Sequence, residues 1–499
     1  MNTKKDIKNV LLIMPPATIA REYTKEIQPP LGLAYIATCL EKDYNVKILD
    51  AACEGWNEEK KEPKGLITYG LSFEKIKKII NDLKPDIVGV SCLYSMQHKN
   101  AHKICEITKE LDKNILTIMG GAHATVLPQK TLEDINVDIV VLGEGEFSTK
   151  ELLDAMRKEE AISGIDGIAF KEDGKIILNP KTKFIQDLDK IPFPARHLLP
   201  MQKYFKINLP HGVSSRYSPN TPIITSRGCP ANCIFCSIHS IWGYKYRARS
   251  VENIIQELKY LKDKYKIREI QFEDDNLTLD KKRALALFDR MVEEKLDLAW
   301  TTPNGVAMWA LDQELLLKMR KSGCYILCLA IESGDQKMLS ETIKKPLNLE
   351  KIKKLIHWTN LYGFQTNAFF VVGFPNETKE QLQNTFRFAS RLRVDNVSFY
   401  IATPYPGTEL FRICEQGGYL PKDFSMSDLG VKRATICTKH FTREDLEKMV
   451  AWHMLKYKLS LIWHNPRAFY RKVIKRFFKS PRQFLALTKK LIKRILGIQ

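Results

Sequence analysis

The chain has no apolar run of the ~18–20 residues that a transmembrane helix needs, which excludes a helical membrane span. It has no low-complexity tract and no solenoid repeat. Its first residues, Met1-Asn2-Thr3-Lys4-Lys5, lead into an apolar stretch too short for the h-region of a secretory signal. Cysteine is sparse, 11 in 499 residues, and eight of these are scattered (Cys39, Cys53, Cys92, Cys105, Cys324, Cys328, Cys414 and Cys437), so no disulfide framework is expected. Cys324 and Cys328 lie within an apolar run, where a free cysteine is ordinary core. These absences point to a reducing, cytoplasmic setting.

The other three cysteines are what the chain does have: Cys229, Cys233 and Cys236, set in Ser226-Arg227-Gly228-Cys229-Pro230-Ala231-Asn232-Cys233-Ile234-Phe235-Cys236. Three thiolates this close together can hold one metal cluster. A [4Fe–4S] cube takes four ligands, so three cysteines leave one iron open to bind and activate a small molecule. A zinc site is the alternative. It wants four ligands, His239 is the nearest fourth, and no second Cys or His pair follows at a suitable spacing.

At this length two or three domains are expected. From about 8 to 185, short apolar strands (Val10–Met14, Val46–Leu49, Ile87–Ser91, Ile115–Gly121, Ile139–Gly143) alternate with helical patterns such as Leu31–Leu40 and Ala101–Leu111. Such alternation builds a parallel sheet with helices on both faces, and ligands of such sheets sit beyond the strand C-termini. The loops Gly120-Gly121-Ala122-His123-Ala124-Thr125 and Gly143-Glu144-Gly145-Glu146 fall there. A proline-broken connector occupies 186–220. From 221 to 438 six more strands recur: Pro222–Thr225, Glu269–Glu273, Ala299–Thr302, Tyr325–Ile331, Gln365–Val372 and Asn396–Ala402. Six βα units fit a partial (β/α)6 barrel of the TIM type, whose active sites collect at strand C-termini. The cysteine loop follows the first strand, Asp274-Asp275-Asn276 the second, Thr302-Pro303-Asn304-Gly305 the third, Glu332-Ser333-Gly334 the fourth, Gly373-Phe374-Pro375 the fifth and Pro404-Tyr405-Pro406-Gly407-Thr408 the sixth.

The cysteine loop, with an aromatic residue before its last cysteine (Phe235), closely resembles the radical S-adenosylmethionine (SAM) superfamily. The resemblance implies that SAM chelates the open iron through its amino and carboxylate groups and is cleaved to a 5′-deoxyadenosyl radical. Asp274 and Asp275 would accept from the SAM ammonium, unless they cap a helix. Glu332, in Leu329-Ala330-Ile331-Glu332-Ser333-Gly334, would accept from the ribose hydroxyls. Phe235 and Gly373 would hold adenine. Arg247 and Arg249 would meet the SAM carboxylate or simply open the next helix, for which Ser250 reads as N-cap.

The segments ahead of the barrel resemble the cobalamin-binding subclass of that superfamily: Pro15-Pro16, Pro29-Pro30-Leu31-Gly32-Leu33, Asp50 and the two glycine loops, in this order. This implies a Rossmann-like B12 domain with Pro15, Gly120, Gly121, His123, Thr125, Gly143 and Glu144 at the cofactor. The Asp-x-His-x-x-Gly motif that ligates cobalt in many B12 proteins is absent, since Ala52 stands where its His would be. Cobalt would then be held without a protein imidazole; His123 lies in a suitable loop, but a lone His is more often a hydrogen-bonding residue. The fold class is thus α/β, with a helical, basic extension over 439–499.

The function implied is SAM cleavage at the cluster coupled to C-methylation of an unactivated carbon in a lipid or natural product. Anaerobic oxidative ring formation is an alternative. RNA modification is another, but those relatives carry three further cluster cysteines whose pattern Cys39, Cys53, Cys92 and Cys105 do not follow. A cobalamin or SAM sensor is the non-enzymatic reading, disfavoured by the full set of barrel motifs. A flavodoxin- or ferredoxin-type low-potential electron donor is implied, and nucleic acid is not. From Lys456 to Gln499 there are thirteen basic residues and no acidic one, on a chain of formal charge +20. Two amphipathic helices, opened by Asn465-Pro466 and Ser480-Pro481, are expected there. They suit peripheral contact with the inner face of the membrane, or docking on the barrel with their charges in solvent, with nucleic acid a third option for the tail.

Overall fold

The computed structural model describes residues 7–21, 23–212, 215–431 and 433–470. The chain divides into two compact units. One takes the chain through Cys229 together with Ser237–Gln271; the other takes Pro230–Cys236 and the chain from Phe272. The first unit is larger than the 8–185 expected for a B12 domain, because it absorbs the connector and the opening of the barrel.

The first unit contains strands β1 (Asn9–Met14), β2 (Ala17–Ala20), β3 (Asn45–Asp50), β4 (Glu59–Glu62), β5 (Leu66–Tyr69), β6 (Ile87–Ser91), β7 (Leu116–Gly120), β8 (Ile139–Val141), β9 (Ile168–Glu172), β10 (Lys175–Asn179), β11 (Asn220–Ile223), β12 (Ser226–Arg227) and β13 (Arg247–Ala248), and most of β14 (Glu269–Phe272). Seven form one sheet, in the order β10-β9-β8-β7-β6-β1-β3. The strands from β3 across to β8 are parallel; β9 and β10 turn back antiparallel at one edge. Side chains alternate across a strand, and β1 shows it. Val10 and Leu12 enter the core beneath helices Leu31–Leu40 and Gly145–Arg157, while Leu11 and Ile13 enter the one beneath Phe73–Leu83 and His98–Leu111. Burial on both faces is why these strands read as continuous apolar runs.

The strand order reverses at β1, which lies between β3 and β6. The crevice of such a sheet opens beyond the C-termini at that point, between the loop of Pro15 and the loop Cys92–Gln97. An antiparallel ribbon of three strands, β2-β5-β4, grows from the loop after β1. It was not expected from the sequence, because Glu59–Glu62 (EKKE) carries no apolar alternation. Gln97 clasps it: its Oε1 accepts from Thr18 N (2.8 Å) and its Nε2 donates to Thr18 O (2.6 Å), while Asn100 Nδ2 donates to Pro16 O (2.8 Å).

The connector is anchored by buried polar groups. Tyr204 O–H donates to Asp50 Oδ2 (2.5 Å), and the same carboxylate accepts from Cys53 N (3.0 Å). Arg196, wholly buried, donates to Glu257 (2.6 Å) and to the Pro222 carbonyl (2.8 Å).

In the second unit β15 (Ala299–Thr301), β16 (Cys324–Glu332), β17 (Gln365–Val372) and β18 (Asn396–Ile401) are neighbours in that order, each pair parallel. Helices Gln313–Lys321, Leu349–Leu361 and Lys379–Arg391 fall between them in the chain. With β11 and β14, all six strands expected of the partial barrel are present within one or two residues of their expected bounds. Trp300 is wholly buried, stacked on Phe288 and edge-on to Phe272. Cys324 and Cys328 are core, as expected.

Helix Arg443–His464 is followed by the short helix Pro466–Phe469 at the end of the described chain. Thr442 and Asp445 form the capping box of the longer helix. Leu446, Val450, Ala451, Tyr457 and Leu461 face inward, and Tyr457 O–H donates to the Val394 carbonyl (2.8 Å). Trp452, Leu459, Ile462 and Trp463 stay exposed, Trp463 at 82 %. None of the described helices is long and apolar enough to cross a membrane. The helix expected after Ser480-Pro481, most of the one after Asn465-Pro466, and ten of the thirteen basic residues lie outside the described residues.

Candidate active site

The cysteine loop is fixed by its backbone. Ile234 N donates to Ile343 O (3.1 Å), Leu410 N to Ile234 O (2.8 Å), and Cys236 N to Cys233 O (3.0 Å). The loop therefore presents its thiols on a rigid turn, and Phe235 lies 6.2 Å from the Phe374 ring. Cys229, Cys233 and Cys236 are half-buried, whereas seven of the other eight cysteines are buried. Half-exposed thiols are what a metal ligand needs, since the thiolate must form and be reached. Among the described residues no group of three or more His, Cys, Asp or Glu side chains is gathered closely enough to hold a metal ion, so the three thiols are not drawn onto one point in this structure. His239 does not serve as a fourth ligand: its Nε2 lies 3.0 Å from the Cys229 carbonyl and its ring stacks on Tyr244.

Sequence reasoning missed Lys345. Its ammonium is buried and pairs with Glu332 Oε1 at 2.8 Å. Burial works against its charge, but the Glu332 carboxylate and the sulfurs of Cys233 and Cys236 outweigh burial and hold its pKa above the ordinary lysine value. The structure thus joins Glu332, at the end of β16, to the charge environment of two cluster cysteines. Glu332 has φ +70°, sparsely populated for a residue with a side chain, and β16 shifts register against β17 at this point. No local sequence signal marks Lys345, because Lys344-Lys345-Pro346 reads as a solvated turn.

Asp274 is buried and Asp275 half-buried at the end of β14. Neither caps a helix; that role belongs to Asp280, whose side chain accepts from Arg283 N. Gly373 has φ +88°, and a Cβ there would stand 2.3 Å from Leu446 Cδ2. Its N–H donates to Glu377 Oε2 (2.5 Å), as does that of Phe374 (3.2 Å). Glu377 is wholly buried, and burial pushes its carboxyl up to about 7.

In the first unit the loops at the sheet edge are bound to one another. Pro15 is buried. Gly121 (φ +96°) passes so close to Cys92 that a Cβ would stand 2.7 Å from its carbonyl oxygen. Thr125 Oγ1 donates to Gly121 O (2.9 Å) and accepts from Gly143 N (2.9 Å), joining the β7 and β8 loops. His123 is buried, with Nδ1 3.0 Å from Ser95 Oγ. Burial, followed by the neighbouring His98, His102 and Lys130, pushes it down to about 4, so the ring is neutral at pH 7. Glu144 is engaged elsewhere than the crevice: Oε1 accepts from Arg227 (2.9 Å) and Arg247 (2.7 Å), and Oε2 accepts from Ile185 N (2.6 Å). Arg247 pairs with Glu144, and Arg249 with Glu257 (2.5 Å) and Asn253 (2.7 Å). Ser250 does cap the helix Val251–Tyr265. Cys39, Cys53, Cys92 and Cys105 are buried in the core, and burial pushes the first three up to about 12.

Comparison with known proteins assigns both halves. Residues 18–153 match the B12 binding domain, and residues 223–389 match the radical SAM superfamily. Cytidylyl-2-hydroxyethylphosphonate methyltransferase of Streptomyces wedmorensis is 37 % identical over 462 residues, 86 % of this chain and 86 % of that protein. Anaerobic magnesium-protoporphyrin IX monomethyl ester cyclase of Rubrivivax gelatinosus is 30 % identical over 77 % of this chain and 66 % of that one. The solved structure of the cobalamin-dependent SAM radical enzyme OxsB, with aqua-cobalamin and SAM bound, superposes with TM-score 0.71 at 15 % identity, covering 96 % of this chain and 71 % of that one. The chain belongs to the B12-binding radical SAM family of enzymes.

Proposed function

We propose that the chain cleaves SAM reductively at a [4Fe–4S] cluster on Cys229, Cys233 and Cys236, and with cobalamin methylates an unactivated carbon of a small hydrophobic molecule. The three half-exposed thiols, in a chain that keeps nearly all its others buried, carry this reading. The donor set fits the group: three thiolates hold three irons of a cube and leave the fourth to SAM. When bound, the cluster supplies the electron that breaks a SAM carbon–sulfur bond, drawn from a flavodoxin- or ferredoxin-type donor.

The chain's own residues orient SAM and keep water from the radical. Lys345 and Glu332 place a cation and a carboxylate beside the cluster loop, Asp274 and Asp275 offer acceptors to the SAM ammonium, and Phe235 with Gly373 form an apolar seat for adenine. Pro15, Gly120, Gly121, His123, Thr125 and Gly143 line the sheet edge that receives the corrinoid. His123, buried with Nδ1 3.0 Å from Ser95 Oγ, is read as a hydrogen-bonding residue, and cobalt as bound without a protein imidazole. The second reading, oxidative ring formation without methyl transfer, draws support from the likeness to the Rubrivivax cyclase. The exposed Trp452, Leu459, Ile462 and Trp463, running into a basic segment, favour a membrane-borne substrate.

Anaerobic reconstitution with iron, sulfide and hydroxocobalamin tests the proposal. About four irons and one cobalt per chain are expected, with a deuterated methyl group passing from labelled SAM to a lipid fraction. Iron without cobalt would remove the methyl carrier and sink methylation. Both metals with 5′-deoxyadenosine formed but no methyl transfer would favour ring formation.

A further inference from the structure

Four buried charges join the loop after β8 to the strand that delivers Cys229. Arg227, two residues before that cysteine, donates through Nη1 to Glu144 Oε1 (2.9 Å) and through Nη2 to Glu146 Oε1 (2.5 Å). Its guanidinium lies in a slot of aromatic rings, 4.6 Å from Trp242 and 5.6 Å from Tyr35. Arg247 shares Glu144 Oε1 (2.7 Å) and donates to the carbonyls of Ile185 (2.6 Å) and Trp242 (2.7 Å). The β12–β13 ladder places Arg227 opposite Arg247, so two guanidiniums stand side by side with Glu144 bridging them. All four side chains are at most 5 % exposed. Gly228 follows at φ +83°, where a Cβ would stand 2.5 Å from the Lys245 carbonyl oxygen, so only glycine fits between Arg227 and Cys229.

We infer that Glu144 and Glu146 are positioning residues for the cluster loop: they fix Arg227, and through it Cys229, and Glu144 does not contact the corrinoid. Glu144 accepts twice at Oε1 and once at Oε2 from protein N–H groups, so most of its roughly four lone-pair sites are already taken. A buried ion-pair set of this kind is weak as a source of stability but strict in geometry, because losing one member leaves an unpaired charge in a dry site. Glu144→Gln keeps the shape and one acceptor but strands one positive charge across the two guanidiniums. Adding Arg247→Gln restores electroneutrality while leaving Arg227 without its charged second arm.

The inference rests on the reading that Cys229 holds a cluster, and the full-length chain tests both. Wild type, Glu144→Gln and Glu144→Gln/Arg247→Gln are reconstituted with iron and sulfide, and iron release to a chelator is followed. Hydroxocobalamin affinity and melting temperature are measured on the same preparations. Glu144→Gln is expected to release iron about tenfold faster, the scale typical of removing an outer partner of a metal ligand, with cobalamin affinity unchanged. The double variant is expected to regain melting temperature but not iron retention. Weakened cobalamin binding with wild-type iron retention in Glu144→Gln would overturn the inference, because Glu144 would then serve the corrinoid. Iron retention that recovers in step with melting temperature would also overturn it, reducing the network to bulk stability. A wild type that never retains iron would instead sink the functional reading, and this inference with it.

Discussion

Glu377 shows how a single buried carboxyl links stability to pH. It accepts from two backbone N–H groups at the end of β17, yet burial raises its pKa from 4.5 to about 7. The folded state therefore favours the protonated form. As pH rises past 4.5 the unfolded chain ionises first, so stability falls until about pH 7 and then levels off. The swing is on the order of 3 kcal/mol at most. Glu377→Gln retains an acceptor for Gly373 N and removes the titration. Its urea midpoint is expected to exceed that of wild type at pH 8 and to show a flatter profile from pH 5 to 8. Gly228 gives a second residue-scale prediction. Gly228→Ala adds a methyl against the Lys245 carbonyl at positive φ, at a cost of roughly 2 kcal/mol or more. Because the next residue is Cys229, iron loading per chain should fall as well as the melting temperature.

Elements were the scale at which the sequence was most readable. Ile87–Ser91 falls where its apolar run places it, because a strand buried on both faces reads as a near-continuous apolar stretch, while Gln365–Val372 shows the alternation of a strand with one fully buried face. The ribbon β2-β5-β4 was not readable: its strands are short, one is entirely charged or polar, and it is held from far along the chain by Gln97, at the end of the loop after β6, and Asn100, in the helix that follows. The site divides the same way. Cys229, Cys233 and Cys236 carry their chemistry in their spacing. Glu144, Arg247 and Lys345 take their roles from partners 13 to 103 positions away, which no local pattern encodes. Glycines were legible as loop residues but not in their reasons, as Gly121 is needed for its passage against Cys92. Helix Arg443–His464 supports an element-scale prediction. Tyr457→Phe removes the bond to the Val394 carbonyl and should cost about 1 kcal/mol, measured by chemical denaturation, without altering iron content.

The whole molecule carries +20, and thirteen of its basic residues crowd into the last 44 positions with no acid among them. Anionic headgroups attract each such residue near the surface by about 1 kcal/mol, and screening removes that attraction as salt rises. The full chain is expected to pellet with phosphatidylserine vesicles at low salt, to be released at high salt, and to ignore neutral vesicles. Deleting residues 467–499 should abolish pelleting; pelleting that persists would assign the contact to Trp452, Leu459 and Trp463 instead.

The partition of the thiols turns the molecule into its own occupancy gauge. Seven cysteines are walled off, three line the cluster loop and one, Cys437, stands in solvent. A maleimide added to the native, metal-free chain should consume four thiols promptly, namely Cys437 and the triplet. After cluster assembly it should consume only Cys437. Mass spectrometry of the labelled chain then reports the fraction of molecules loaded, one by one, where absorbance yields only an average.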